Sequence, residues 1–184
     1  MPQESHENFF IELLKFVFLA VIIVVPVRLF VAEPFIVSGM SMEPTFENGQ
    51  YLIVDELTYD IQAPKRGDVI VFHYPKDTSE FFIKRIIGLP GETVTINAQG
   101  ISITETNGTT FPLNEPYVIN KGNGPPETYV VPAGQYFVMG DNRPESSDSR
   151  AWGYLPRNEI VGRVLVRLLP VSSIALFPGQ AQEP

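Results

Sequence analysis

Apolar residues crowd one end of this chain. Residues 9–32 read "FFIELLKFVFLAVIIVVPVRLFVA", and a helix wound from them is apolar all round. Residues 16–27 carry no charge, and Lys15 and Arg28 bracket them. A helix that crosses a bilayer needs about 20 apolar residues. The uncharged stretch alone is short for that, but 9–32 reaches it with Glu12, Lys15 and Arg28 snorkelling near the ends. Pro26 is tolerable in such a helix. A cleavable leader needs small residues before its cut; Ala32 could fill the last place, but Phe30, two before it, is too large. A buried core helix is the other alternative, and an all-round apolar segment fits lipid better. The pattern therefore predicts a polar tail over 1–8 and a retained transmembrane anchor over 9–32. Charge bias sets no orientation, because one lysine faces one arginine across the span.

After Pro34 the pattern changes to short runs with β character. "QYLIVD" follows the turn pair Asn48–Gly49, and "DVIVFHY" follows Lys65, Arg66 and Gly67. "FFIKRII" ends at "GLPG", and "TVTI" and "ISIT" flank "NAQG" as a hairpin does. "QYFVMG" and "IVGRVLVRLL" follow. Strands divided by turns, with no sustained helical period, predict a mostly β domain over 33–177. Residues from about 93 to 131 are rich in Asn, Gly, Pro and Thr and read as an inserted, smaller β lobe. The stretch 178–184 reads as a polar tail that frays.

Composition narrows the chemistry. Of 184 residues, 44% are hydrophobic and 18% charged, enough apolar content for a packed core. A net charge of −8 argues against a nucleic-acid partner, since nothing here neutralises a row of phosphates. The chain has no cysteine, which excludes disulfides, thiol catalysis and cysteine-bound metal. It has two histidines: His6 in the polar tail and His73 in an apolar run. No metal or other cofactor is implied. A Ser–His–Asp triad would have to use His73, which in such a run is more often an ordinary strand residue, so a base other than histidine is the expectation for a hydrolase.

Lys84 is the unusual residue, set in "FFIKRII" between Phe82 and Ile86 on one strand face. On an edge strand such a lysine would snorkel to water. Buried, it loses its charge more readily, because desolvation disfavours the ammonium form. A neutral lysine can activate a serine, and Ser41 lies in "SGMSMEPTF" just after the anchor. Each of these residues has an ordinary reading alone, a turn serine and a strand lysine. The alternative function is a membrane-tethered β module that binds partners and cuts nothing.

The set "SGMSMEPTF", "RGDVIVF", "FFIKRIIGLPGE", "LNEPYV", "MGDNRPESSDSRAWG" and "GRVLVRLLP" resembles, in order, the sequence boxes of type I signal peptidases. With the anchor, the resemblance runs from about residue 16 to 177. It implies a β-barrel or sandwich domain with an inserted β lobe behind one transmembrane helix. It also implies a membrane-bound Ser/Lys endopeptidase that removes signal peptides from exported preproteins through an acyl-enzyme. Ser41 then falls on the nucleophile and Lys84 on the general base. Ser146 falls on a serine that helps hold the lysine amine, and Asp141, Asp148 and Arg150 on residues that brace the site. The Ser41 backbone N–H is an oxyanion donor, and Phe35, Val37, Phe46 and Ile83 line the substrate pockets. The partners implied are the lipid bilayer and preproteins with small residues at the last and third-last signal-peptide positions. The implied location is the cell membrane or another bacterial-type membrane, single-pass, with the catalytic domain outside. The related self-cleaving repressors lack the anchor and carry a DNA-binding domain, so they fit badly. Two departures stand out. Gly39 occupies a place where some members have a serine that helps form the oxyanion hole, and Pro144–Glu145 replaces a common Asp-Asn pair.

Overall fold

The computed structural model describes residues 9–30, 32–121 and 125–180, and only the backbone of 23–30 and 32. The expected tail 1–8, with His6, lies outside the described residues. The first helix, α1, runs Phe9–Phe30. Apart from Glu12 and Lys15 its described side chains are apolar, and most are exposed, with Phe9 at 77% and Phe16 at 70%. Among the described residues, no helix is long and apolar enough to cross a membrane. The side chains of the rest of the expected anchor lie outside the described residues.

The body is mostly β, in two sheets. Its strands are β1 (Ala32–Ile36), β2 (Tyr51–Asp55), β3 (Val69–Tyr74), β4 (Asp77–Gly88), β5 (Thr93–Asn97), β6 (Gly100–Thr104), β7 (Thr110–Pro112), β8 (Glu127–Val130), β9 (Gln135–Met139), β10 (Leu155–Pro156), β11 (Ile160–Leu169) and β12 (Ala175–Leu176). The larger sheet has the order β1-β2-β11-β3-β4-β9-β10, with β12 beside β11. The smaller has the order β7-β6-β5-β8. Two one-turn helices, α2 (Thr58–Ile61) and α3 (Ser149–Trp152), complete the regular elements used below. The β-branched and aromatic runs bounded by Gly, Asn and Pro become the longer strands, as their pattern predicts.

Two features of the larger sheet position a site. β1 ends the sheet, so among the described residues its outer edge has no partner strand. β4 pairs with β3 along most of its length, including Lys84 with Ile70. Its pairing with β9 starts only at Arg85, opposite Met139. The edge of β4 up to Lys84 is thus open on the β9 side. The rings of Phe35 and Phe81 meet at 5.2 Å, which brings β1 against this half of β4. Beneath them Val37, Met42, Phe46, Leu52, Val54, Val69, Val71 and Val164 form one buried cluster.

The expected fraying from residue 178 is corrected at its start. Pro178 is buried, and the Gly179 carbonyl accepts a hydrogen bond from Arg85 Nη1. Gly179 has φ +77°, and a Cβ there would stand 2.6 Å from Thr45 Cγ2, so only glycine fits this approach without a shift. Residues 181–184 lie outside the described residues.

Candidate active site

Ser41 begins a tight turn directly after β1. Glu43 N–H donates to the Met40 carbonyl, and Phe46 N–H to the Met42 carbonyl at 2.9 Å. Met42 and Phe46 point into the buried cluster and anchor the turn from below. The loop 140–148 holds it from the side. Asn142 N–H donates to the Ser41 carbonyl at 3.0 Å, and Asn142 Nδ2 to the Met40 carbonyl at 3.2 Å. Thr45 Oγ1 donates to Asp141 Oδ2 at 2.5 Å, and Arg167 Nη1 to the Thr45 carbonyl at 3.0 Å. The backbone on both sides of the Ser41 hydroxyl is fixed by groups from distant strands.

Lys84 Nζ lies 2.8 Å from Ser41 Oγ. It also donates to the Ile83 carbonyl at 2.9 Å and sits 5.2 Å from the centre of the Phe82 ring. Lys84 is only 4% exposed. Burial pushes its amine from the ordinary 10.5 down to about 8, against a smaller upward pull from the Asp148 and Asp141 carboxylates. At pH 7 a pKa of about 8 leaves roughly one amine in ten neutral, against roughly one in three thousand at 10.5. Desolvation alone therefore supplies a usable base beside a serine.

The remaining expected residues divide. Asp141, 1% exposed, accepts from Arg85 Nε at 2.8 Å and from Arg85 Nη2 at 2.6 Å. Asp148, wholly buried, accepts from Arg150 Nε and Nη2, each at 2.8 Å. The structure does not bring Ser146 to the lysine amine. Ser146 Oγ accepts from Gly140 N–H at 3.1 Å, and among the described residues the amine's partners are Ser41 and Ile83. His73 faces the Thr78 carbonyl and packs behind the Phe81 ring, and it is not among the residues that line the groove beside Ser41 and Lys84.

A groove of about 360 Å³ runs alongside, lined by Phe35, Val37 and Ile83 together with Leu52, Val71 and the Ser41–Lys84 pair. Phe46 is a correction. It is fully buried in the cluster below, with the Arg167 guanidinium 5.9 Å above its ring, and does not reach the groove. The turn after Ser41 rotates it inward.

Sequence reasoning assigned no role to Arg85, Thr45, Asn142 or Gly140. Gly140 sits between the Ser41 turn and Ser146. Its N–H donates to both Ser146 Oγ and Asp148 Oδ2, each at 3.1 Å. A Cβ at 140 would collide with Ser146 Oγ and with the Ser41 carbonyl. Gly140→Ala is therefore expected to cost about 1–3 kcal/mol of stability and to displace the nucleophile turn. A melting curve and a cleavage assay on the purified variant check this together; full activity with an unchanged melting point is the contrary result.

Comparison with known proteins agrees with the family resemblance. The family model described as "Signal peptidase, peptidase S26" matches residues 10–169. The chain is 39% identical to "Probable signal peptidase I-1" of Synechocystis sp. over 178 residues, covering 93% of this chain and 88% of that one. It is 40% identical to "Signal peptidase I" of Leptolyngbya laminosa over 183 residues, covering 94% and 86%. A solved signal peptidase I from Enterococcus faecalis V583 is 35% identical, with a TM-score of 0.47, and the match covers 56% of this chain and 97% of that one.

Proposed function

The chain belongs to the S26 signal peptidase family and is an enzyme of the signal peptidase I type, and from that premise we propose a membrane-bound Ser41/Lys84 endopeptidase that cleaves signal peptides from exported preproteins. The observation that carries the reading is the 2.8 Å contact between a serine hydroxyl and a lysine amine that is 4% exposed. Neutral Lys84 takes the Ser41 proton as the oxygen bonds to the scissile carbonyl carbon. The ammonium then gives that proton to the leaving amine as the C–N bond breaks. Water, deprotonated by the same amine, releases the acyl group and regenerates Ser41.

The tetrahedral oxyanion is stabilised by backbone N–H groups, Ser41's own among them. That N–H donates to no protein acceptor among the described residues. Gly39 has φ +94°, a conformation that disfavours the serine found there in some members. The stretch before the cut is extended and adds as a strand at the free edge of β1. Phe35, Val37 and Ile83 leave shallow apolar pockets that suit small side chains at the last and third-last signal-peptide positions.

In this reading α1 is the membrane anchor, which holds catalyst and substrate at one surface and raises their effective concentration. The exposed apolar side chains of Phe9, Phe10, Leu14, Phe16 and Phe18 support it, since water is a poor solvent for such a cluster. The catalytic domain lies on the outer side, where exported chains arrive. The test is incubation of a detergent-solubilised preprotein with wild type and with Ser41→Ala. Cleavage at the signal-peptide junction by wild type alone is expected. A protein that binds the preprotein and leaves it whole in both forms would be the tethered binding module instead.

A further inference from the structure

The catalytic groove carries one charged side chain that the chemistry above leaves idle. Apart from Lys84, Glu145 is the sole ionisable residue among the described residues that line it. It is exposed, and among the described residues its carboxylate joins no ion pair. The neighbouring carboxylates differ: Asp141 and Asp148 are buried, each against its own arginine. Glu145 is also half of the Pro144–Glu145 departure noted in the sequence.

Its place relative to the nucleophile is fixed. Glu145 N–H donates to the Asn142 carbonyl at 3.2 Å, and Asn142 N–H donates to the Ser41 carbonyl at 3.0 Å. Pro144 stiffens the turn between them. Along the groove, the walls run from Phe35 and Phe81 to Ser41 and Lys84. The Phe35–Phe81 end is apolar and takes the residues before the cut. In the Ser41/Lys84 reading, residues after the cut leave past Ser41, and Glu145 and Ser147 line the groove together with Ser41 and Lys84.

We propose that Glu145 reads the charge of the first residues of the released chain, favouring a cationic side chain just after the cut and disfavouring an acidic one. The proposal rests on the Ser41/Lys84 reading. A charge pair at a solvated rim changes a rate constant by a small factor. Exchanging a cation for an anion both removes an attraction and adds a repulsion, so the two extremes should differ by about fivefold at low salt.

The experiment uses three preproteins that differ only in the two residues after the cut: lysines, glutamines or glutamates. The readout is the ratio of kcat/KM for the lysine and glutamate substrates, which is internal to each enzyme and independent of how much of it is folded. Wild type should give a ratio of about five at low salt, falling toward one in 1 M salt, where the screening length is about 3 Å. Glu145→Gln should give about one at either salt, and Glu145→Lys a ratio below one. Two results overturn the proposal with the peptidase reading intact: equal wild-type rates on all three substrates, or the wild-type ratio persisting in Glu145→Gln. Failure of wild type to cleave any of them overturns the Ser41/Lys84 reading, and this proposal with it. Where Glu145→Gln fails to fold, the salt dependence of the wild-type ratio and the inversion in Glu145→Lys decide.

Discussion

Replacing Lys84 with methionine is expected to lower kcat/KM by about 10⁴-fold and, at pH 7, to make the protein more stable. The two effects share one cause. In the folded chain burial holds the amine at about 8, below its ordinary 10.5. Between those values the unfolded chain binds more protons than the folded one, so stability rises with pH there. Below about pH 8 the burial cost is fully present; above 10.5 it is gone. The interval corresponds to about 3 kcal/mol, an upper value because methionine also gives up the bond to the Ile83 carbonyl. Denaturant titrations of wild type and Lys84→Met at pH 7 and near pH 10 should show a gain that shrinks with rising pH. A variant less stable than wild type at pH 7 would contradict a buried, destabilised amine. In wild type, kcat/KM should fall about tenfold per pH unit below 8, because only the neutral amine accepts the serine proton. Lys84→Arg should be inactive throughout, since a guanidinium stays charged.

How the fold and the site could be read from the sequence depends on what each residue contributes. The strands that follow Asn48–Gly49 and Gly67, and the hairpin around "NAQG", were legible because β-branched runs bounded by turn residues suit a pleated, half-buried surface. β1 was not. It contains Glu33 and Pro34, poor strand residues, and forms because β2 offers it an edge where a missing N–H goes unnoticed. Lys84 was legible as an anomaly, and Arg85 beside it was passed over. Two successive cations in an apolar strand point to opposite faces. Lysine can answer burial by losing its proton, whereas arginine needs a buried carboxylate. That requirement is a signal the sequence carries for a buried partner, which the structure supplies as Asp141. Phe46 misled because nearness to Ser41 in sequence does not say which way a turn aims a side chain. Gly179 was illegible for a different reason: it contributes a carbonyl, which every residue has, so no side-chain pattern announces it.

Asp141→Asn should be the most damaging substitution that leaves Ser41 and Lys84 in place. Arg85 is fully buried, and besides Asp141 it reaches the Gly67 carbonyl at 2.9 Å and the Gly179 carbonyl. The Tyr117 ring lies 3.8 Å from its guanidinium carbon. Removing the carboxylate charge leaves a dry cation without its counter-ion, at a cost of about 3–5 kcal/mol. Arg85→Met alone should cost a similar amount by stranding Asp141. The double variant Arg85→Met with Asp141→Leu should recover much of that loss in a denaturant titration, because two apolar groups strand nothing. Additive losses in this cycle would refute the pair as a unit. Activity should follow a different course. Thr45 loses its acceptor in the variant that carries Asp141→Leu, so the nucleophile turn loosens there even where stability returns. The pH profile supplies a readout that packing alone does not move. The Asp141 carboxylate pulls the Lys84 pKa upward, so its removal lets the amine deprotonate more readily. Whatever activity Asp141→Asn retains should therefore reach half its plateau at a pH below the wild-type value, and a midpoint shifted upward would mean that Lys84 had been opened to water instead.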